Sequence, residues 1–173
     1  LHLKSTSDIN FQEELVIEIV NKTMKNLKSS LETALKDGKI VEALKVCGAE
    51  AENLTSLNNT EKTYIKRISL KYRNPKNKPT RQEEIVLKGF EEKLLSGAKF
   101  NELVFKETIT TYKDKTLTYI KAIPTKAVCL NCHGTNVDSK VLKEIKIKYP
   151  NDKAIGYNLG EIRGAFLVRH IFN

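Results

Sequence analysis

The sequence is poor in sulfur and in aromatic rings, with three cysteines, one methionine and no tryptophan among 173 residues. An odd number of cysteines cannot pair completely within one chain, so at least one thiol is free or a ligand, and no disulfide framework is available. No apolar run approaches the roughly 18 to 20 residues of a membrane span. With 6 phenylalanines and 6 tyrosines the chain has no basic stripe interleaved with stacking rings, so we expect no nucleic-acid partner.

Size and charge narrow the class of protein further. The 30 Lys and Arg residues exceed the 21 Asp and Glu residues, giving a formal net charge of +9, which by itself is compatible with a polyanion or a membrane surface. The length fits one domain. Because the chain starts at Leu1 rather than Met, we expect residues 1–10 to be a disordered leader and residues 11–173 to form a single domain, any export signal or membrane anchor having been removed.

Apolar residues recur at helical spacing in much of the chain. The predicted helices span residues 11–35, 40–54, 81–95 and 138–149. Asn10 and Glu13 are spaced as a capping box for the first helix, and Gly38 separates it from the second. Cys47 falls in the middle of the apolar stripe of the second helix, so its side chain is predicted to point inward.

Alternating apolar residues in the second half of the chain indicate strands. The predicted strands span residues 103–109, 117–123 and 164–171, the first two forming a hairpin. Residues 67–79 contain two prolines and two asparagines and are predicted to form an ordered or extended loop. Helices followed by a meander predict an α+β fold with long N-terminal helices packed on a small antiparallel sheet.

The sequence Cys129-Leu130-Asn131-Cys132-His133 is the attachment signature of c-type haem. The two thiols add to the porphyrin vinyl groups, and the histidine that follows is held under the iron. A thioredoxin-like redox pair also uses Cys-x-x-Cys, but in a βαβ setting that this chain lacks. A zinc site would need Cys47 as a fourth ligand and would require adjacent residues Cys132 and His133 to share one tetrahedral ion. The motif therefore favours haem.

A sixth iron ligand is harder to choose from the residues alone. His2 lies in the predicted leader, and His170, near the end of the last strand, is expected to be a solvated surface histidine. Met24 lies on the apolar stripe of the first helix, where methionine is usually core. Cys47 is either a core thiol or an iron ligand, and it is a stronger candidate than Met24.

Several further motifs occur in an order that resembles a family. They are residues 42–47, residues 67–79, residues 119–124 leading into the Cys-x-x-Cys-His motif, and residues 156–157 with 160–166. Over about residues 30–169 the chain resembles the bacterial c-type haem domains with a PAS-like fold, which occur alone and as extracytoplasmic sensor parts of histidine kinases and chemoreceptors.

The resemblance implies one covalent haem c in a PAS-like pocket. It implies thioether bonds to Cys129 and Cys132, with His133 and Cys47 as the axial iron ligands. Arg67, Lys71 and Arg73 follow one another at extended-chain spacing and are propionate candidates, with a solvated basic loop as the alternative, and the resemblance favours the propionate role for Lys71 and Arg73. Tyr119 and Lys121 precede the Cys-x-x-Cys-His motif on an inward-facing strand register and are pocket candidates, and Tyr119 is equally compatible with ordinary core.

Such a site predicts a sensor of redox state or of a diatomic gas. A thiolate opposite an imidazole favours Fe(III), so Cys47 is expected to leave on reduction and open a position for NO or CO. The alternative is an electron-transfer cytochrome that acts on a redox partner protein without sensing. We expect no enzyme activity, because no distal His and Arg pair is evident.

Compartment and assembly follow from the same chemistry. Attachment of haem needs reduced thiols and an assembly system outside the cytoplasm, so we expect a periplasmic or other extracytoplasmic location. The first helix also has enough apolar surface for a homodimer seam, although packing on its own domain is the favoured use.

Overall fold

The computed structural model describes residues 8–173, in which helices lead into an antiparallel sheet. The helices are α1 (Ile9–Lys36), α2 (Ile40–Lys45), α3 (Ala51–Ser56), α4 (Arg81–Leu95), α5 (Leu130–His133) and α6 (Ser139–Lys148). The strands are β1 (Thr63–Ile68), β2 (Val104–Thr110), β3 (Lys115–Pro124) and β4 (Ile162–Phe172). The predicted α+β class is confirmed.

The strands form one four-stranded antiparallel sheet in the order β1-β4-β3-β2, with helices on both faces. On one face, Val16 and Val20 of α1 pack against Tyr119 and Phe166. On the other face, α4 covers a second apolar cluster, whose buried members are Ile68, Leu87, Phe90, Leu103, Ile120, Ala122, Ile162, Ala165 and Leu167. Within residues 8–173, no helix combines the length and apolarity needed to cross a membrane.

The first helix begins earlier than its sequence pattern predicted. Asp8 caps it by accepting a hydrogen bond from the Asn10 backbone N–H at 2.9 Å, so the predicted capping box of Asn10 and Glu13 is wrong. Residues 8–10, assigned to the leader, thus form the cap and first turn of α1, and the rest of that leader, residues 1–7, lies outside the described residues. After α1, Gly38 turns the chain with φ of +67°.

The single helix predicted over residues 40–54 is interrupted. Between α2 and α3 the chain forms a π-helical turn, Val46–Glu50, in which Gly48 departs from helical geometry with φ of −94° and ψ of −107°. Gly48 has no Cβ, and the Tyr149 hydroxyl occupies the space that a Cβ would need. The interruption falls next to Cys47.

The sequence prediction missed β1, whose last two residues, Arg67 and Ile68, fall in the segment predicted to be a loop. β1 ends at Ile68 and pairs with β4, so Arg67 lies opposite Phe166 in the sheet. The loop prediction failed because lysine and arginine occupy half-buried strand positions and hide the alternation. Only from Ser69 onward does the segment leave the sheet.

His170 is buried, so its predicted solvated surface position is wrong. Its ring Nδ1 lies 2.8 Å from Thr63 Oγ1, and Nε2 lies 2.7 Å from Gln12 Oε1. A neutral imidazole satisfies both partners, with the Thr63 hydroxyl donating to Nδ1 and the Nε2 N–H donating to Gln12. The histidine therefore ties α1 and β1 to β4.

Candidate functional site

A cavity of about 360 Å³ lies on the face of the sheet that α1 covers. Its walls come from the C-terminal half of α1, the turn between α2 and α3, strands β1, β3 and β4, and helix α5. Apolar side chains of α1, Met24 and Leu27 among them, form one wall. The apolar stripe of α1 is thus used within its own domain.

The Cys-x-x-Cys-His segment forms a tight turn shortly after the end of β3. Pro124 ends the strand, a short 3₁₀ turn ends at Cys129, and α5 carries Cys132 and His133. Gly134 closes the turn by donating to the Leu130 carbonyl at 3.0 Å. All three cysteines of the chain are free thiols lining the one cavity. Burial and, to a smaller extent, the charge of the nearby Cys47 raise the pKa of Cys132 to about 11.

Hydrogen bonds at both ring nitrogens fix the orientation of the His133 imidazole beside the cavity. Its Nδ1 donates to the Ala154 carbonyl at 2.6 Å, which leaves Nε2 with a lone pair. Nε2 accepts a hydrogen bond from Arg163 Nη2 at 3.4 Å. Burial, together with the positive charges of Arg163 and Arg73, holds the pKa of His133 well below its usual range, so the imidazole is neutral at Nε2.

Cys47 reaches the same cavity from a distant part of the chain. The π-helical turn presents it there, and Arg67 Nη2 donates to the Cys47 carbonyl at 3.2 Å. Burial raises the pKa of Cys47, while the guanidinium groups of Arg67 and Arg163 oppose that rise. The structure thus brings together the four residues predicted to hold haem and iron, which are Cys47, Cys129, Cys132 and His133.

The cavity is strongly basic. Its charged lining residues are Lys25, Lys28, Arg67, Arg73, Lys126 and Arg163, and no carboxylate among the described residues lines it. Of these, Arg67 and Arg163 have no carboxylate within ion-pair distance in the described part of the chain. Burial lowers the pKa of both guanidinium groups. Half-buried cations without carboxylate partners suit an anionic ligand in this cavity.

Arg73, a predicted propionate candidate, lines the cavity but is mostly engaged elsewhere. It forms a buried ion pair with Asp152, with Nε at 3.0 Å from Oδ1, and its Nη2 donates to the Cys132 carbonyl at 2.7 Å. Its Nη1 is buried and has no hydrogen-bond partner. One donor of this side chain therefore remains for a ligand in the cavity.

The other pocket candidates lie outside the cavity lining, which corrects their assignment. Tyr119 is 3% exposed and packs beneath α1, and Lys121 reaches Asn21 of α1 at 3.3 Å, because α1 covers this part of the sheet. Lys71 is exposed, with Nζ 4.2 Å from the centre of the Tyr157 ring. The extended-chain spacing that made Lys71 a candidate does not hold at this residue, because β1 ends at Ile68.

Arg163 is the site residue that the sequence did not reveal. In the pairing of β3 with β4, Ile123 faces Gly164 while Pro124 faces Ile162, so Arg163 is the extra residue of a β-bulge. A bulge redirects a side chain from the face that alternation gives it. Sequence alternation alone therefore could not place Arg163 in the cavity.

The zinc alternative finds no support in the geometry. Within residues 8–173, no group of three or more His, Cys, Asp and Glu side chains is placed to bind a metal ion. A thioredoxin-like arrangement is likewise absent from this part of the chain, because all four strands are antiparallel and no βαβ unit forms.

Fold and site together define an α+β domain with a basic, partly apolar cavity. The lining of this cavity includes a Cys-x-x-Cys-His turn and a further cysteine. The chain belongs to the Tll0287-like family, whose sequence profile matches residues 3–170, and the expected family membership is confirmed. It is similar in fold to the crystal structure of the cyanobacterial heme-protein Tll0287, with a TM-score of 0.62 and 21% sequence identity over 94% of this chain and 95% of that one. A comparison with curated proteins finds no significant match.

Proposed function

We propose that this chain is a monohaem c-type cytochrome domain that senses redox state or a diatomic gas such as NO or CO. One observation carries the proposal: Cys47, Cys129, Cys132 and His133, drawn from distant parts of the sequence, line one basic cavity. The fold relative Tll0287 is described as a heme-protein, which supports the cofactor. In this proposal Cys129 and Cys132 hold the haem, and His133 and Cys47 bind its iron.

The residues present fit haem. An anionic cofactor suits a cavity with two arginines that pair with no carboxylate in residues 8–173, and the unpartnered Arg73 Nη1 offers a further donor for a carboxylate. Arg67 and Arg163 replace Lys71 as the favoured propionate partners. His133 is neutral at Nε2, the protonation state that a metal ligand requires. Haem would supply a one-electron iron couple and an exchangeable coordination position.

Sensing depends on Cys47. As a thiolate it would favour Fe(III), and burial, which raises the pKa of its thiol, favours protonation once the iron gains an electron. Cys47 would take up one proton and leave as a neutral thiol, and haem would supply the one-electron couple, with the electron coming from a donor protein or a chemical reductant. Cys47 lies in the irregular π-helical turn, next to α1, and this position would allow it to move away from the iron.

Spectra of the purified protein test the proposal in two stages. A pyridine haemochrome of the c type, lost in Cys129→Ala combined with Cys132→Ala, establishes the cofactor. A thiolate charge-transfer band in the oxidised protein, lost in Cys47→Ala and retained in the control Met24→Leu, establishes the sixth ligand. Met24 lines the same cavity, so the control also tests the rival ligand.

Addition of CO to the reduced protein separates sensing from the alternative function. A sensor binds CO after reduction because Cys47 has left. A reduced protein that stays six-coordinate and inert to CO refutes release and leaves an electron-transfer cytochrome, the second candidate. The basic surface expected from a net charge of +9 would in that case suit an acidic redox partner protein.

The remaining aspects of the proposal follow from haem c chemistry. We infer an extracytoplasmic location, where haem is attached to thiols, and no enzyme activity. A homodimer through α1 would have to use its solvent-facing residues, since Val16 and Val20 are buried against the sheet.

A further inference from the structure

We propose that the buried Arg73–Asp152 ion pair is the positioning device for the proximal histidine, acting through the Ala154 carbonyl that His133 hydrogen-bonds. This inference rests on the proposed function, since it assigns His133 to the iron. It gives a role to Asp152, which has no place among the cavity-lining residues.

The Ala154 carbonyl receives two donors. His133 Nδ1 donates to it at 2.6 Å, and Arg73 Nη2 donates to it at 3.1 Å. The same Arg73 nitrogen donates at 2.7 Å to the carbonyl of Cys132, the residue before the histidine. One guanidinium therefore fixes the backbone that carries the imidazole and the acceptor that orients it.

Asp152 holds the guanidinium in this position. Its Oδ1 lies 3.0 Å from Arg73 Nε and its Oδ2 lies 3.1 Å from Arg73 Nη2. Oδ1 also accepts a hydrogen bond from the Ala154 backbone N–H at 2.9 Å. The N–H and the carbonyl of Ala154 are therefore both hydrogen-bonded to the ion pair. Arg73 and Asp152 side chains are 7% and 8% exposed, so water does not compete for these contacts.

Two further backbone hydrogen bonds join the loop that carries Ala154 to the turn that carries His133. Tyr157 N donates to the His133 carbonyl at 2.9 Å, and Gly156 N donates to the Gly134 carbonyl at 2.9 Å. These backbone bonds align the loop with the turn, whereas the ion pair contacts the Ala154 carbonyl and N–H directly. A hydrogen bond at that nitrogen sets the tautomer and ring orientation of a ligating histidine.

Hydrogen exchange of the His133 Nδ1 proton in the haem-loaded oxidised protein tests the inference. This proton is shifted by the paramagnetic iron and can be followed by NMR after transfer to deuterated water. We expect Asp152→Asn to raise its exchange rate at least about tenfold, because the acceptor loses its support. Arg73→Lys, which keeps the charge but not the bidentate geometry, should do the same.

Arg169→Gln is the matched control. It removes another arginine that pairs with a buried carboxylate, Glu83, at 3.0 Å, far from the histidine. The inference is refuted if the His133 Nδ1 proton exchanges as slowly in both Asp152→Asn and Arg73→Lys as in the unmodified protein. It is also refuted if Arg169→Gln accelerates the exchange equally, because that result would report a general loosening of the fold. If one of the two site variants does not fold, the other decides by the same criterion. Absence of a c-type haemochrome refutes the proposed function instead, so the two failures are distinguishable.

Discussion

Substitution of Gly48 by alanine tests whether contact with Tyr149 shapes the turn that presents Cys47. A Cβ built on Gly48 lies 2.5 Å from Tyr149 Oη and 3.7 Å from Tyr149 Cζ. The first distance is shorter than real Cβ atoms show, whereas the second is ordinary van der Waals contact. The hydroxyl alone therefore excludes a side chain at this position.

The expected magnitude follows from that geometry. Overpacking costs about 1–3 kcal/mol, and the low end applies because the clash is with the far end of a half-buried side chain. We expect Gly48→Ala to lower the free energy of unfolding by about 1 kcal/mol. In a Tyr149→Phe background only the 3.7 Å contact remains, so the same substitution should be close to neutral. The coupling energy of the two changes is then about 1 kcal/mol.

Denaturant unfolding of the four haem-loaded proteins measures this coupling, and the oxidised spectrum reports on Cys47. The thiolate band should weaken or shift in Gly48→Ala and recover in the double variant. Gly89→Ala in α4 is the control, because a Cβ there meets nothing within 4 Å. If Gly48→Ala costs as much beside phenylalanine as beside tyrosine, the contact does not shape the turn and the reasoning fails.

Three further predictions concern the frame around the cavity. Gly164→Ala should destabilise the fold by about 1–3 kcal/mol in denaturant unfolding, because its Cβ would lie 2.5 Å from the Ile68 backbone carbonyl, and wild-type stability would contradict this. Thr80→Ala should cost about 1 kcal/mol by removing the cap of α4, measured by thermal unfolding. Burial and Lys62 lower the pKa of His170, so its neutral form stabilises the fold above about pH 6.5, and that contribution is lost as the pH falls towards the folded-state pKa. Unfolding measured against pH should therefore be flatter in His170→Gln, and an unchanged slope would refute the assignment.

The sequence predicted the elements whose apolar period is long and undisturbed. α1, α4 and α6 and the hairpin of β2 and β3 lie within a few residues of their predicted bounds. β1 was missed because its Lys66 and Arg67 interrupt the apolar alternation, although their side chains are half-buried. His170 was misplaced because its partners, Gln12 and Thr63, are distant in sequence and polar.

The candidate site was predictable where a local motif defines it. The spacing of Cys129, Cys132 and His133 needs no tertiary information, and the structure places all three in the cavity. Asp152 and Arg163 escaped prediction because their relevance depends on distant partners, the ion pair with Arg73 in one case and the pairing of β3 with β4 in the other.

Two local irregularities border the cavity, one beside Cys47 and one at Arg163. The π-helical turn at Gly48 interrupts a helix beside Cys47, and the β-bulge turns Arg163 out of alternation toward His133. Irregular backbone of this kind is frequent at functional sites, because it can point a side chain in a direction that regular structure does not allow, at some cost in regular hydrogen bonding. Because a sequence period describes only regular elements, helical spacing placed Cys47 on an inward face but could not show the interruption beside it, and strand alternation could not place Arg163 in the cavity.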